Sequence, residues 1–157
     1  MTKLKTIEEL IKIRHGAFLF GKKIVLTNGC YDILHVGHVR NLIEAKKSGD
    51  ILIVAINSDE SLKKLKKLSS PVTCENERAE ILSALYCVDY VTIFGEPTAD
   101  GIITLLKPDI YAKGTDYTPE NIPERDSVCA YGGKIVITGD PKDHSTRDII
   151  KKIKTEL

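Results

Sequence analysis

Two histidines follow a short apolar run near the start of the chain. Residues 23–28 (KIVLTN) predict a buried strand, and residues 27–38 read TNGCYDILHVGH, so His35 and His38 are three positions apart. Side chains with this spacing at the start of a helix point to one side. Gly29 and Gly37 allow close approach of the backbone to a ligand, and a helix N-terminus offers unpaired N–H groups. The stretch therefore predicts an anion site with two hydrogen-bond donors.

Other interpretations of the two histidines are weaker. A metal site needs a third ligand, and Asp32 is the nearby candidate, yet the spacing matches no usual zinc pattern. Two hydrogen-bonded histidines in a turn would explain either residue alone better than the pair. The sequence has neither the Gly-x-x-x-x-Gly-Lys nor the Gly-x-Gly-x-x-Gly phosphate-binding pattern. A phosphate site of another kind is favoured.

Composition limits the class of protein. The 157 residues are 42% hydrophobic and 29% charged with a formal net charge of +1, which indicates one soluble domain and no general attraction to nucleic acid. The apolar run at 51–56 is far too short to span a bilayer. The four cysteines form no Cys-x-x-Cys pair and are interpreted as reduced thiols. We expect a cytoplasmic protein with neither nucleic-acid nor membrane partners.

Strand and helix patterns alternate along the chain. Strands are predicted at 23–28, 51–56, 90–94, 109–112 and 134–138. Helices are predicted at 6–15, from Val39 to about Lys46, over 74–87 with Thr73 as N-cap, over 99–106, and from Ser145 to Leu157. This order predicts a doubly wound, five-stranded parallel sheet of Rossmann-like type in a single domain, 1–157, with 1–22 as an N-terminal helix and lead-in. Ligands bind such sheets at the carboxyl ends of the strands, where residues 27–38 lie.

These motifs resemble a known family. TNGCYDILHVGH is similar to the signature of the small nucleotidyltransferases, whose hallmark is His-x-Gly-His after the first strand. Within them, the chain most resembles the adenylyltransferases that make ADP-heptose from heptose 1-phosphate. The similarity runs from about residue 5 to 153 and includes AINSDESLKKLK, ENERAEILSAL, VDYV, KPDIYAKGTDYTPE, AYGGKIV and STRDIIKKI.

The resemblance implies a reaction and a role for each matching residue. A sugar 1-phosphate would attack the α-phosphate of ATP, carried with Mg²⁺, and displace pyrophosphate; the attacking oxygen is already an anion, so no general base is needed. The implied catalytic residues are His35, His38 and Lys66. The implied nucleotide-binding residues are Thr27, Asn28, Gly29, Cys30, Tyr31, Gly37, Arg78, Ser145 and Thr146. The implied sugar-phosphate residues are Asp32, Lys63, Lys113 and Asp116.

Several of these residues have a second interpretation. Ser145 could be a plain N-cap, and Arg78 could pair with Glu75 or Glu77 at the surface instead of ordering a loop or contacting phosphate. The lysines at 63–67 fit either a solvated helix face behind an apolar stripe of leucines or a mobile basic loop that closes over phosphates. The role of His144 stays open.

Departures from the family pattern put the details of acceptor binding in doubt. Ser70-Pro71 stands where Arg-Pro is usual, Lys67 replaces a glycine, and Arg147 replaces the last residue of Ser-Thr-Thr. Alternatives are a glycerol-3-phosphate cytidylyltransferase, an FMN adenylyltransferase, or a nucleotide-binding module without catalysis. Many relatives carry a fused sugar kinase, so we expect a separate kinase upstream. A homodimer is implied by resemblance.

Overall fold

Strands and helices alternate through nearly the whole chain. The structure, a computed structural model, describes residues 3–66, 70–141 and 145–156. The strands are β1 (Ile24–Gly29), β2 (Ile51–Asn57), β3 (Tyr90–Phe94), β4 (Ile110–Gly114) and β5 (Lys134–Thr138). The helices are α1 (Ile7–Leu19), α2 (Val36–Lys47), α3 (Asp59–Lys66), α4 (Glu75–Ala84), α5 (Asp100–Leu106), α6 (Arg125–Cys129) and α7 (Thr146–Glu156).

The five strands form one parallel sheet in the order β3-β2-β1-β4-β5. The chain builds outward from β1 to β3, then crosses back to place β4 on the other side of β1. Strand order therefore reverses between β1 and β4, where Thr27 is in register with Ala112. The predicted doubly wound parallel sheet is confirmed, and its ligand-binding edge is the carboxyl end of these two central strands.

The sheet is buried on both faces because its strands are apolar at successive positions. Ile24 and Leu26 of β1 join a core with α1, α5 and α6, whereas Val25 points to the opposite core, formed with α2 and α4. This alternation is the period-two geometry of a strand. It explains why the first two strands could be predicted from nearly continuous apolar runs.

The helices differ from the predictions mainly at their ends. Thr6 caps α1 in a capping box with Glu9, and the helix continues to Leu19 instead of ending near residue 15. Cys74 is the N-cap of α4, so the prediction of Thr73 as cap was wrong by one residue. The lysine-rich run begins in a helix, α3, which continues through Lys66. The short helix α6 was not predicted.

The outer edge of β3 is covered by the segment that precedes α1. The Lys5 amide donates to the Val91 carbonyl at 2.8 Å, and the Val91 amide donates to the Lys3 carbonyl at 2.9 Å. Leu4 thereby forms a parallel bridge with Val91. The lead-in thus acts as a short extra strand beside β3. In the part of the chain that the structure describes, no helix is both long and apolar enough to cross a membrane.

Candidate active site at the carboxyl ends of β1 and β4

The loop after β1 is shaped by a tyrosine that folds back over a glycine. Tyr31 adopts a left-handed backbone conformation with φ of 49°, and its ring covers Gly29. A Cβ atom on Gly29 would lie 2.9 Å from Tyr31 Cε2, closer than such contacts occur, so this position requires glycine. Burial raises the pKa of Tyr31 to about 12, so its phenol is neutral. Beneath the loop, Thr27 is also buried.

The two histidines lie side by side at the start of α2. His35 occupies the N-cap position, Gly37 lies in the first turn, and the His35 and His38 rings stack with centroids 3.8 Å apart and planes 28° from parallel. The Tyr31 ring centroid is 5.0 Å from that of His38. The i, i+3 spacing therefore brings the two rings together, as the sequence indicated.

His38 is neutral at physiological pH. Burial is the largest of the effects that lower the pKa of His38 to about 4, and His35 and Lys66 act in the same direction. The Asp116 carboxylate acts in the opposite direction. A neutral imidazole carries one N–H donor and one acceptor nitrogen. The Lys66 ammonium, from α3, and the Asp116 carboxylate, from the loop after β4, thus act electrostatically on His38.

Lys63 is placed differently from Lys66. Its ammonium is 2.8 Å from Glu60 Oε1 on the same helix, in an exposed i, i+3 ion pair. Its predicted contact with the sugar phosphate would require it to leave Glu60. Lys67, the last residue of the basic run, lies outside the described residues, as does His144.

Arg78 ties together the segments that surround the site. Its guanidinium donates to the carbonyl oxygens of Cys30 (2.6 Å), Asn57 (2.8 Å) and Thr73 (3.2 Å) and to Asp59 Oδ1 (2.8 Å). The arginine side chain is fully buried in this ion pair. These bonds fit the predicted role of Arg78 in ordering a loop, whereas its contact with the nucleotide stays a prediction. The alternative of a surface pair with Glu75 or Glu77 was wrong, because Arg78 is buried and pairs with Asp59.

Asp32 anchors the segment that leads into α4. It is 7% exposed, and its Oδ1 accepts from the amides of Val72 at 2.8 Å and Thr73 at 3.0 Å. The Thr73 hydroxyl donates to the Asp32 carbonyl. Thr73, which was predicted as a helix cap, instead donates two hydrogen bonds to Asp32. The binding of sugar by Asp32 stays a prediction, because the carboxylate is already engaged by the protein.

Lys113, at the end of β4, lies in a buried polar network. Its ammonium is 2.8 Å from Asn28 Oδ1, 3.4 Å from Glu124 Oε2 and 4.9 Å from the centroid of the Tyr117 ring. The Tyr111 hydroxyl donates to the same Asn28 oxygen at 2.6 Å. Lys113 is only 6% exposed. Phosphate binding by Lys113 stays a prediction, because its ammonium is already engaged by Asn28 and Glu124.

Ser145 is the N-cap of α7, as one of the two interpretations predicted. Its hydroxyl accepts from the Asp148 amide at 3.2 Å and donates to Asp148 Oδ2 at 2.6 Å. The Asp148 carboxylate already occupies this helix N-terminus, so a phosphate could bind there only if Asp148 turned away. The phosphate roles of Ser145 and Thr146 stay predictions.

Sequence reasoning missed several residues that organise the site, namely Tyr111, Glu124 and Asp59. Glu124 lies in IPERD, a segment without periodicity, and nothing in its pattern distinguishes it from a surface glutamate. Among the residues that the structure describes, no group of three or more His, Cys, Asp or Glu side chains is arranged to hold a metal ion.

Comparison with known proteins identifies the family. The cytidylyltransferase-like family model matches residues 26–152. The chain is 47% identical over 151 residues to the bifunctional protein HldE of Geobacter metallireducens, covering 96% of this chain and 31% of that protein. It is 48% identical over 133 residues to the HldE protein of Syntrophotalea carbinolica, covering 85% of this chain and 27% of that protein. The chain thus spans less than a third of the length of these curated relatives.

A solved structure agrees with these matches. The crystal structure of a lipopolysaccharide core biosynthesis protein from Thermoplasma volcanium superposes with a TM-score of 0.66 at 31% identity, covering 78% of this chain and all of that one. The family match spans most of the chain, and it includes both central strands and the histidine pair. The chain therefore belongs to the cytidylyltransferase-like family and is a nucleotidyltransferase.

Proposed function

We propose that this chain transfers AMP from ATP to a sugar 1-phosphate, namely heptose 1-phosphate, releasing pyrophosphate. The observation that carries the proposal is the stacked His35–His38 pair at the start of α2, on which the charge of Lys66 acts. A polyphosphate bound there would meet imidazole donors, an ammonium group and a helix N-terminus on one side. The similarity to HldE proteins and to a lipopolysaccharide core biosynthesis protein supports heptose as the sugar.

The proposed reaction is a single displacement at phosphorus. An anionic phosphate oxygen of the sugar 1-phosphate forms a bond to the α-phosphorus of ATP. The bond from the α-phosphorus to the β-bridging oxygen breaks, and pyrophosphate leaves with that electron pair. The protein supplies position and hydrogen bonds to the oxygens on which negative charge increases. The neutral His38 ring donates one N–H, and Lys66 contributes a positive charge.

Magnesium is expected to enter with ATP and to neutralise the departing pyrophosphate. The residues gathered at the histidine pair are imidazoles and a lysine, which are poor ligands for this hard cation. Asp116 is the carboxylate whose charge acts on His38, and it could hold a water of the hydrated ion. The donor set therefore fits a metal carried mainly by phosphates and water.

Pyrophosphate release tests the proposal directly. The purified chain is incubated with Mg²⁺, heptose 1-phosphate and each nucleoside triphosphate in turn. We expect release with ATP, and a fall of about 10²–10³ in rate for His35→Ala and for His38→Ala, since each removes a preorganised donor. His15→Ala, which changes an exposed histidine on α1, is the matched control and should leave the rate unchanged.

Other outcomes of this assay select the alternatives. Release with CTP and glycerol 3-phosphate, or with ATP and FMN, would keep the chemistry and change the substrate. Binding of ATP without release for any of these acceptors would indicate a nucleotide-binding module. A homodimer is also proposed by family resemblance, and the elution volume of the purified chain in size-exclusion chromatography would test it.

A further inference from the structure

The orientation of the Asn28 amide is fixed by two donors. An ammonium group can only donate, so the Asn28 atom 2.8 Å from Lys113 Nζ must be the oxygen and not the nitrogen. The Tyr111 hydroxyl donates to that same oxygen at 2.6 Å. Both contacts come from β4, so the Asn28 NH₂ group faces away from that strand. Within the described residues, this nitrogen donates to no protein group.

A buried carboxylate holds the lysine that fixes Asn28. Glu124 is 3% exposed, precedes α6, and lies 3.4 Å from the Lys113 ammonium; its other oxygen accepts from the Ala99 amide at 3.4 Å. Burial lowers the pKa of Lys113, and the Glu124 carboxylate is the largest influence in the opposite direction. The Cys30 thiol and the Asp100 carboxylate act in the same direction as Glu124. Glu124 thus helps to keep Lys113 protonated.

We infer that Asn28 is a donor-only specificity residue for a phosphoryl oxygen, and that Glu124 and Tyr111 are its positioning residues. Asn28 is the last residue but one of the central strand β1 and is partly exposed, so its NH₂ group is available at the ligand edge. The Lys113 charge behind the amide strengthens its N–H groups as donors. The inference rests on the proposed function and assigns recognition to residues outside the histidine motif.

Asn28→Asp tests the direction of this hydrogen bond. Aspartate keeps an oxygen for Lys113 and Tyr111, so the fold is preserved, but it replaces the donor with a negatively charged acceptor. We expect a rise of about 10- to 100-fold in KM for one substrate, as for loss of a hydrogen bond to a charged group. A rise for ATP would assign the phosphoryl oxygen to the nucleotide, and a rise for heptose 1-phosphate would assign it to the acceptor.

The matched control is Asn121→Asp, which adds the same charge at an exposed asparagine whose oxygen accepts from the Thr118 amide at 2.8 Å. It should leave both KM values unchanged. Unchanged KM values for Asn28→Asp would overturn the inference while leaving the proposed function intact. If the wild type shows no transfer, so that the proposed function fails, titration calorimetry with ATP and with inorganic pyrophosphate still tests the inference. If the wild type binds but does not transfer, weaker binding by Asn28→Asp still supports the inference; binding of neither ligand by the wild type overturns it.

Glu124→Gln tests the positioning role through the pH profile. Glutamine retains the size of the side chain and can still accept hydrogen bonds, but the charge that favours protonated Lys113 is lost. The alkaline decline of kcat/KM should therefore move to lower pH in the variant. A neutral lysine could accept as well as donate, and the Asn28 amide would no longer have a fixed orientation. A purely structural role for Glu124 would lower stability and leave the pH profile unshifted, which would refute this assignment.

Discussion

Arg78→Met should remove the contact point on which four segments around the site converge. The arginine donates to three backbone carbonyls and to Asp59, and its side chain is fully buried. All four bonds have a charged donor, and at about 1.5–3 kcal/mol each they would sum to about 6–12 kcal/mol. This sum is an upper bound, because contacts made by one side chain are not additive. Asp59 is 25% exposed and can regain water, so we expect a loss of about 3–5 kcal/mol in the free energy of unfolding.

Urea unfolding followed by circular dichroism measures this loss, and Arg40→Met is the control. Arg40 forms an ion pair with Asp140 at 2.8 Å, but both side chains are about half exposed, so its removal should cost about 0–1 kcal/mol. Arg78→Lys retains the charge without the planar set of donors, so its stability should lie between those of the wild type and Arg78→Met. Equal losses for Arg78→Met and Arg40→Met would refute the reasoning. ATP affinity should fall in Arg78→Lys, because the Cys30 loop is less firmly held.

Three further predictions follow from the site. Gly29→Ala should cost about 1–3 kcal/mol in thermal or urea unfolding through overpacking against an aromatic ring, whereas Gly16→Ala, with open space around its Cβ, should stabilise α1 by about 0.5–1 kcal/mol. Folding lowers the pKa of His38 from 6.5 to about 4, so wild-type stability should fall as pH drops through that window. Melting temperature should therefore depend less on pH in His38→Gln than in the wild type over this range. An equal dependence in both proteins would contradict the lowered pKa of His38. Lys66→Met should lower kcat more than Lys63→Met, because Lys66 acts on His38 while Lys63 pairs with Glu60; equal effects in the pyrophosphate assay would argue against a role for Lys66.

The fold could be predicted because its central strands are apolar on both faces. The runs at 51–56 and 90–94 correspond to β2 and β3 with one residue of difference at most, and the turn residues between elements were visible in the sequence. The helix α6 could not be predicted, because it has five residues and lies in a segment without periodicity. The last helix was predicted from Ser145 to Leu157, and α7 spans Thr146–Glu156 with Ile153 51% exposed.

The site could be located from the sequence, but the hydrogen bonds and ion pairs within it could not be predicted. Glycines and histidines after a buried strand are a local pattern, and their position follows from strand order alone. The partners of Arg78 and Lys113 come from elements distant in sequence, since Arg78 reaches Cys30 across 48 positions and Lys113 reaches Asn28 across 85. A single sequence carries no signal for such pairs. Lys113 and Arg78 were therefore predicted only as ligand contacts or surface groups, and the protein groups that they hold in place could not be named from the sequence.

The bridge between Leu4 and Val91 also bears on self-association. An uncovered outer strand presents unpaired N–H and C=O groups, to which a second molecule can add a strand and begin aggregation. Here both backbone groups of Val91 are already paired with the lead-in. The covering segment carries lysines at positions 3 and 5, and charged side chains at a sheet edge discourage further strand addition. The lead-in therefore blocks intermolecular β-pairing at Val91, in the first half of this edge strand.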